Sequence, residues 1–239
     1  MTAITKKTVA SFYKCPIPNR KTVFQQSTCI MPISIGQKYH DGEKFLAIIK
    51  LINKSFKACT LFVADSIYRH TLKITDSSSD PILYQKAALK GQLWLDYNRH
   101  ILSQLTIPHH ILRWDYWLQH PDYLKWHAVI SKFYGTNAVY QHALDETIVA
   151  FLTRYKQTLT DKISFNMQHA FTCCLAYLKE ECAALCLMAQ EQYDFEVYPT
   201  GRNPATTITH ELLIKSMYPD TISIIALRFK KLGSRHLQH

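Results

Sequence analysis

The sequence predicts an α/β fold, a single domain built on a doubly wound parallel sheet with helices on both faces. Three observations predict it. Short apolar runs alternate with stretches of helical spacing along the chain. The run Cys59–Ala64 is continuously apolar, as in a strand buried on both faces. Finally, 239 residues with 47% hydrophobic content can bury one sizeable core.

Taken in order, residues 1–26 are basic and interrupted by prolines, and read as an extended arm with one short strand at most. Thr28–Ser34 is the first core strand, closed by a turn at Gly36. Glu43–Phe56 carries apolar residues at Phe45, Ile48, Ile49, Ile52 and Phe56, a helical spacing. Cys59–Ala64 is the second core strand. Asp80-Pro81 caps and opens a long helix reaching Leu105, which Pro108 stops. Ile111–Trp117 reads as a strand, and Pro121–Tyr134 as a helix broken by Gly135. Two longer helices follow, Ala138–Thr158 and Ile163–Gln190. Phe195–Tyr198 is a short strand ending at Pro199, Thr207–Met217 a helix and Thr221–Phe229 a last strand. No repeat or linker divides the chain, so residues 1–239 form one domain.

Composition narrows the partners. The formal charge of +10 points to a polyanion, nucleic acid before membrane. No apolar run approaches the roughly 18 residues of a membrane span, and Met1 to Cys15 lacks a signal-peptide core, so a soluble cytoplasmic protein is expected. The seven cysteines follow no zinc spacing; Cys173, Cys174, Cys182 and Cys186 share one helical stretch and read as small buried thiols. Only six glycines are present, and neither a dinucleotide fingerprint nor a P-loop can be written with them. His210-Glu211 lacks the second histidine of a zinc motif, and His109-His110, without a third ligand, reads as a surface loop. The activation signatures of class I aminoacyl-tRNA synthetases are absent as well. The frame is Rossmann-like without apparatus for ATP or NAD, and no metal or cofactor is expected.

Three places carry candidate chemistry. Ser34 ends a core strand beside a glycine turn and a helix amino end, where α/β folds bind ligands and backbone N–H groups favour negative charge. A nucleophile fits there; so does a serine that merely makes a turn. On the helix Ile163–Gln190, with Tyr177 set to zero, Met167, Ala170, Cys174, Leu178, Leu185 and Met188 fall within about 20° to 100°. Glu181 falls at about 40°, inside that stripe, while Lys179 and Glu180 fall outside it. A carboxylate on a buried face needs a partner, which the Tyr177 hydroxyl one turn earlier can supply. Structural and functional pairs both satisfy that requirement. Last, Pro199 holds Tyr198 in extended geometry at a strand end.

A serine after the first core strand, a Tyr-x-x-x-Glu pair on a later helix and a tyrosine ending a late strand resemble the cyclodipeptide synthases. Gln37 and Pro199 stand where one branch has asparagine and histidine, so the chain looks like the other branch, named for its Tyr-Pro. Pro32 replaces a glycine found in many members. The resemblance implies a fold similar to the catalytic domain of tyrosyl- and tryptophanyl-tRNA synthetases. It also implies an ATP-independent aminoacyltransferase, a monomer, with two aminoacyl-tRNAs as substrates. The aminoacyl group passes to the serine, a dipeptidyl-enzyme follows, and it closes to a diketopiperazine. Ser34, Tyr177, Glu181 and Tyr198 are then the implied catalytic residues. Ile30, Pro32, Gln37, Val63 and Pro199 are the implied substrate contacts, and Lys86, Lys90 and Arg99 the implied tRNA contacts. Arg99 lies about half a turn from the two lysines, so one continuous basic stripe is not expected. Two other classes fit the residues alone: a non-catalytic RNA-binding Rossmann-type protein, and a serine-dependent acyltransferase or hydrolase acting on a small molecule.

Overall fold

The structure, a computed structural model, describes residues 7–13, 20–159, 166–191, 193–219 and 223–232. In chain order the elements are β1 (Lys7–Tyr13), α1 (Arg20–Gln26), β2 (Thr28–Ser34), α2 (Gly42–Ser55), β3 (Ala58–Ala64), α3 (Arg69–Leu72), α4 (Asp80–Tyr97) and α5 (Arg99–Leu102). They continue with β4 (His109–Arg113), α6 (Asp115–Leu118), α7 (Tyr123–Thr136), α8 (Ala138–Lys156), α9 (Met167–Gln190), β5 (Phe195–Tyr198), α10 (Pro204–Thr209), α11 (Lys215–Met217) and β6 (Ser223–Leu232). Short 3-10 turns precede α2 and α3, and a π turn, His210–Ile214, joins α10 to α11.

The strands form one sheet in the order β1-β6-β5-β2-β3-β4. β2 through β6 are parallel, and β1 closes one edge antiparallel to β6. Side chains alternate across each strand, so the two faces bury different cores. Cys29, Met31, Ile33, Cys59, Leu61, Val63, Phe195 and Val197 pack on one face with α2 residues such as Phe45, Ile48 and Ile49. Ile30 and Phe62 point to the other face, into a second core with residues of α7, α8 and α9. α9 runs through that second core, with buried residues around most of its circumference.

Several expected boundaries move for identifiable reasons. The helix from Pro81 does not run to Leu105: it stops at Tyr97, where the buried Asn98 side chain donates to the Trp94 carbonyl at 3.1 Å and competes with the helical ladder. The strand expected over Ile111–Trp117 is instead His109–Arg113, because the buried Asp65 carboxylate accepts from Arg113 Nε and from the Trp114 amide and turns the chain into α6. Gly91 on α4 lies against Asp65, and a side chain at that position would collide with it. Gly135 does not break its helix, since glycine in a last turn costs only ~1 kcal/mol. His109 and His110 are exposed as expected but lie in β4, not in a loop. Within the expected arm, β1 is an integral edge strand of the sheet, and α1 follows it. The expected starts at Ile163 and Thr221 lie outside the described residues. The free cysteines Cys173, Cys174, Cys182 and Cys186 are all buried.

Candidate active site

β2 ends at Ser34 on the face that looks toward α9, in line with Ile30 and Pro32. β5 is parallel to β2 beside it, which brings Tyr198 to the same sheet end. The Ser34 Oγ and the Tyr198 hydroxyl lie 2.8 Å apart, and the Tyr198 and Tyr39 hydroxyls 3.1 Å apart. The three form a hydroxyl chain. Burial, foremost, pushes the Tyr198 phenol far above its ordinary pKa, so it keeps its proton at neutral pH. The turn after Ser34 folds His40 back beneath it. There the Ser34 amide N–H donates to His40 Nδ1 at 2.9 Å, and the Ser34 carbonyl oxygen lies 3.3 Å from the same nitrogen. His40 is fully buried, and that burial pushes its pKa down to about 4, so it is neutral.

Glu181 reaches the same place from α9. Burial, helped by the charge of Glu196, raises its carboxyl to about 7. Two cavities meet here. The smaller, of about 100 Å³, runs inward between Pro32, Phe62, Trp114, Leu185 and Met188 and includes Glu196 and Arg202. The larger, of about 280 Å³, opens between Gln37, Tyr68, Phe151, Arg154 and Tyr177. Ser34, Glu181, Tyr198 and Asn203 line both.

Glu180, next in sequence to Glu181, has a different fate. It is buried, contrary to the single-stripe reading of α9, because α9 is covered on more than one side. Arg69 grips it with both terminal nitrogens at 2.9 and 2.5 Å, Trp114 Nε1 donates at 2.6 Å, and His70 Nε2 lies at 3.1 Å. Burial alone would raise its pKa, but the bonds from His70 and Arg69 outweigh that and lower it. Glu180 is held in a structural ion pair, whereas Glu181 lines the two cavities.

The other sequence-derived residues divide by position. Tyr177 lines the larger cavity but makes no hydrogen bond to Glu181; burial, and next the Glu181 charge, push its phenol up. Pro32 lines the smaller cavity and Gln37 the larger. Ile30 is on the face toward α9 but fully buried, lining neither of these cavities, and Pro199 is buried and lines neither. Val63 is a correction: strand alternation turns it to the opposite face, into the core against α2, while Phe62 takes the cavity wall. Lys86 pairs with Asp76 at 2.6 Å, Lys90 sits 4.1 Å over the Tyr68 ring, and Arg99 pairs with Asp96 at 2.6 Å. Tyr39, His40, Glu196 and Arg202 were not anticipated. Glu196 could have been found, since a carboxylate two residues before Tyr198 in a strand shares its face.

No protein-family model matches the chain, and no curated protein matches it. Solved structures do. A cyclodipeptide synthase from Fluoribacter dumoffii superposes with a TM-score of 0.90 at 46% identity, over 95% of this chain and 100% of that one. The synthase from Candidatus Glomeribacter gigasporarum, solved bound to Phe-tRNAPhe, gives 0.70 at 18% identity, over 89% and 92% of the two chains. Tyrosyl-tRNA synthetase from Pyrococcus horikoshii shares the fold more distantly, at 0.52 and 16% identity, over 85% of this chain and 51% of that one. With nearly half of its residues identical to a full-length match, this chain belongs to the cyclodipeptide synthase family.

Proposed function

We propose that this chain joins two aminoacyl groups, delivered as esters of tRNA and without ATP, into a cyclic dipeptide through intermediates on Ser34. The observation that carries the reading is the meeting of two cavities at one serine, with Glu181 and Tyr198 lining both. One cavity holds the acyl group already on the enzyme; the other receives the second aminoacyl ester.

Ser34 Oγ attacks the first ester carbonyl, the bond to the tRNA oxygen breaks, and the serine proton ends on that leaving hydroxyl. The substrate is already activated, so positioning matters more than a strong base. Tyr198, kept protonated and 2.8 Å from Ser34 Oγ, donates to the oxygen on which negative charge develops. The amine of the bound aminoacyl group must next lose a proton to attack the second ester. Glu181 holds it as an ammonium by a charge-assisted bond, and a carboxyl near 7 is suited to take that proton at neutral pH. The second tRNA leaves with a proton and a dipeptidyl group remains on Ser34. Its terminal amine attacks the seryl ester, the ring closes, and the Ser34 hydroxyl is restored. Tyr177, on the wall of the larger cavity, orients the incoming acyl group. Gln37 and the Tyr198-Pro199 pair support membership of the Tyr-Pro branch. Lys86 and Lys90 on the exposed side of α4 are the proposed phosphate contacts.

The test is covalent capture. Protein incubated with labelled aminoacyl-tRNA and quenched in acid should retain label, and Ser34→Ala should retain none. Equal labelling of the variant would remove Ser34 from the mechanism.

A further inference from the structure

The smaller cavity holds a charged pair to which the proposed reaction gives no direct contact with substrate. Glu196 on β5 is 7% exposed, and its Oε2 has no hydrogen-bond partner. Its nearest cation, the Arg202 guanidinium, stands at 3.7 Å, beyond hydrogen-bond length. Arg202 Nε is buried and unpartnered too. Buried polar groups are nearly always paired, because an unpaired one carries its full desolvation cost. Here one acceptor and one donor are left buried and unpaired close together, on residues that line the same cavity as Ser34 and Glu181. Their charges cancel; Phe62, Trp114, Leu185 and Met188 supply an apolar part of the remaining wall, with Thr200, Asn203 and Thr206 as polar neighbours.

We propose that this cavity receives the side chain of the first aminoacyl group, and that this side chain is a neutral carboxamide, asparagine or glutamine. Its NH2 donates to Glu196 Oε2 while its carbonyl oxygen accepts from Arg202 Nε–H. The assignment rests on the seryl acyl-enzyme reading. Other side-chain classes fit less well. A cationic one meets Arg202, and an anionic one meets Glu196 with Glu181 close enough to feel it. An aliphatic or phenyl one leaves both polar atoms buried and unpaired. A site built to hydrogen-bond its substrate rejects analogues that lack the bonding group far more strongly than an apolar pocket rejects a missing methylene.

The experiment uses the full chain and a panel of labelled aminoacyl-tRNAs carrying Gln, Asn, Ala, Leu, Phe, Glu or Lys, with label on the protein counted over time. Glutaminyl or asparaginyl groups should load at least about tenfold faster than any other. The double variant Glu196→Leu with Arg202→Leu should lose that preference and load leucine faster than glutamine. Wild-type protein loading a leucyl, phenylalanyl or charged group as fast as the carboxamides would overturn the side-chain assignment while leaving the seryl chemistry standing. Absence of label from every tRNA in the panel would overturn both.

Discussion

Replacing Glu181 with glutamine separates the cost of holding this carboxyl from its use. An ordinary glutamate titrates near 4.5, and burial holds Glu181 at about 7. That gap makes ionisation in the folded protein cost about 3 kcal/mol more than in the unfolded chain, at ~1.4 kcal/mol per pH interval. The folded pKa lies above the unfolded one, so the contribution of the protonated group to stability is complete below pH 4.5. It is lost as the pH rises through about 7. Glu181→Gln keeps the shape and has no proton to lose. The stability of the variant relative to wild type should therefore climb by ~2–3 kcal/mol between pH 5 and pH 8, read by urea unfolding at both values. The same variant cannot take a proton from an ammonium, so product formation should fall tenfold or more, a barrier change of about 1.4 kcal/mol or above. Wild-type product formation should itself rise as the pH passes through 7. Unfolding curves whose separation is the same at pH 5 and pH 8 would refute the burial argument. A stable variant that made product at the wild-type rate would refute the proton-transfer role.

Other outcomes follow from the same contacts. Tyr198→Phe removes the hydroxyl between Ser34 and Tyr39 and should slow acyl transfer by about 10²-fold, as loss of one oxyanion donor does, with little change in thermal midpoint. Arg69→Met leaves Glu180 buried with His70 and Trp114 as its remaining close donors; it should cost about 3 kcal/mol in urea unfolding, the low end for breaking a buried pair, because Arg69 is itself partly exposed. Lys86→Ala combined with Lys90→Ala should flatten the log–log salt dependence of tRNA binding by about two slope units, and an unchanged slope would place the phosphates elsewhere.

Much of the fold was legible because strand ends and helix caps are local. Thr28–Ser34 and Phe195–Tyr198 are read from their apolar runs and the turn residues that close them, and the structure has them with the same bounds. Ser34, Tyr198 and Glu181 share one place because parallel strands end together and α9 crosses that end. Glu180 was misjudged because a helical wheel assumes one buried face, whereas α9 is packed on several sides. Val63 was assigned by resemblance, and the parity of its own strand overrules that. His40 was not legible, since its role depends on a tight turn returning it to Ser34, and the sequence between them marks the turn without stating its direction.

On the proposed reaction, that returned histidine bears on where the negative charge of each tetrahedral intermediate is met. Acyl-transfer sites commonly use the amide of the nucleophilic residue as one oxyanion donor. Here the Ser34 N–H is already committed to His40 Nδ1. On that proposal the charge falls to side-chain donors such as the Tyr198 hydroxyl, which are set by rotamers rather than by the main chain. Under the proposed mechanism, oxyanion stabilisation then rests on groups that single substitutions can delete one at a time, which a main-chain amide never permits.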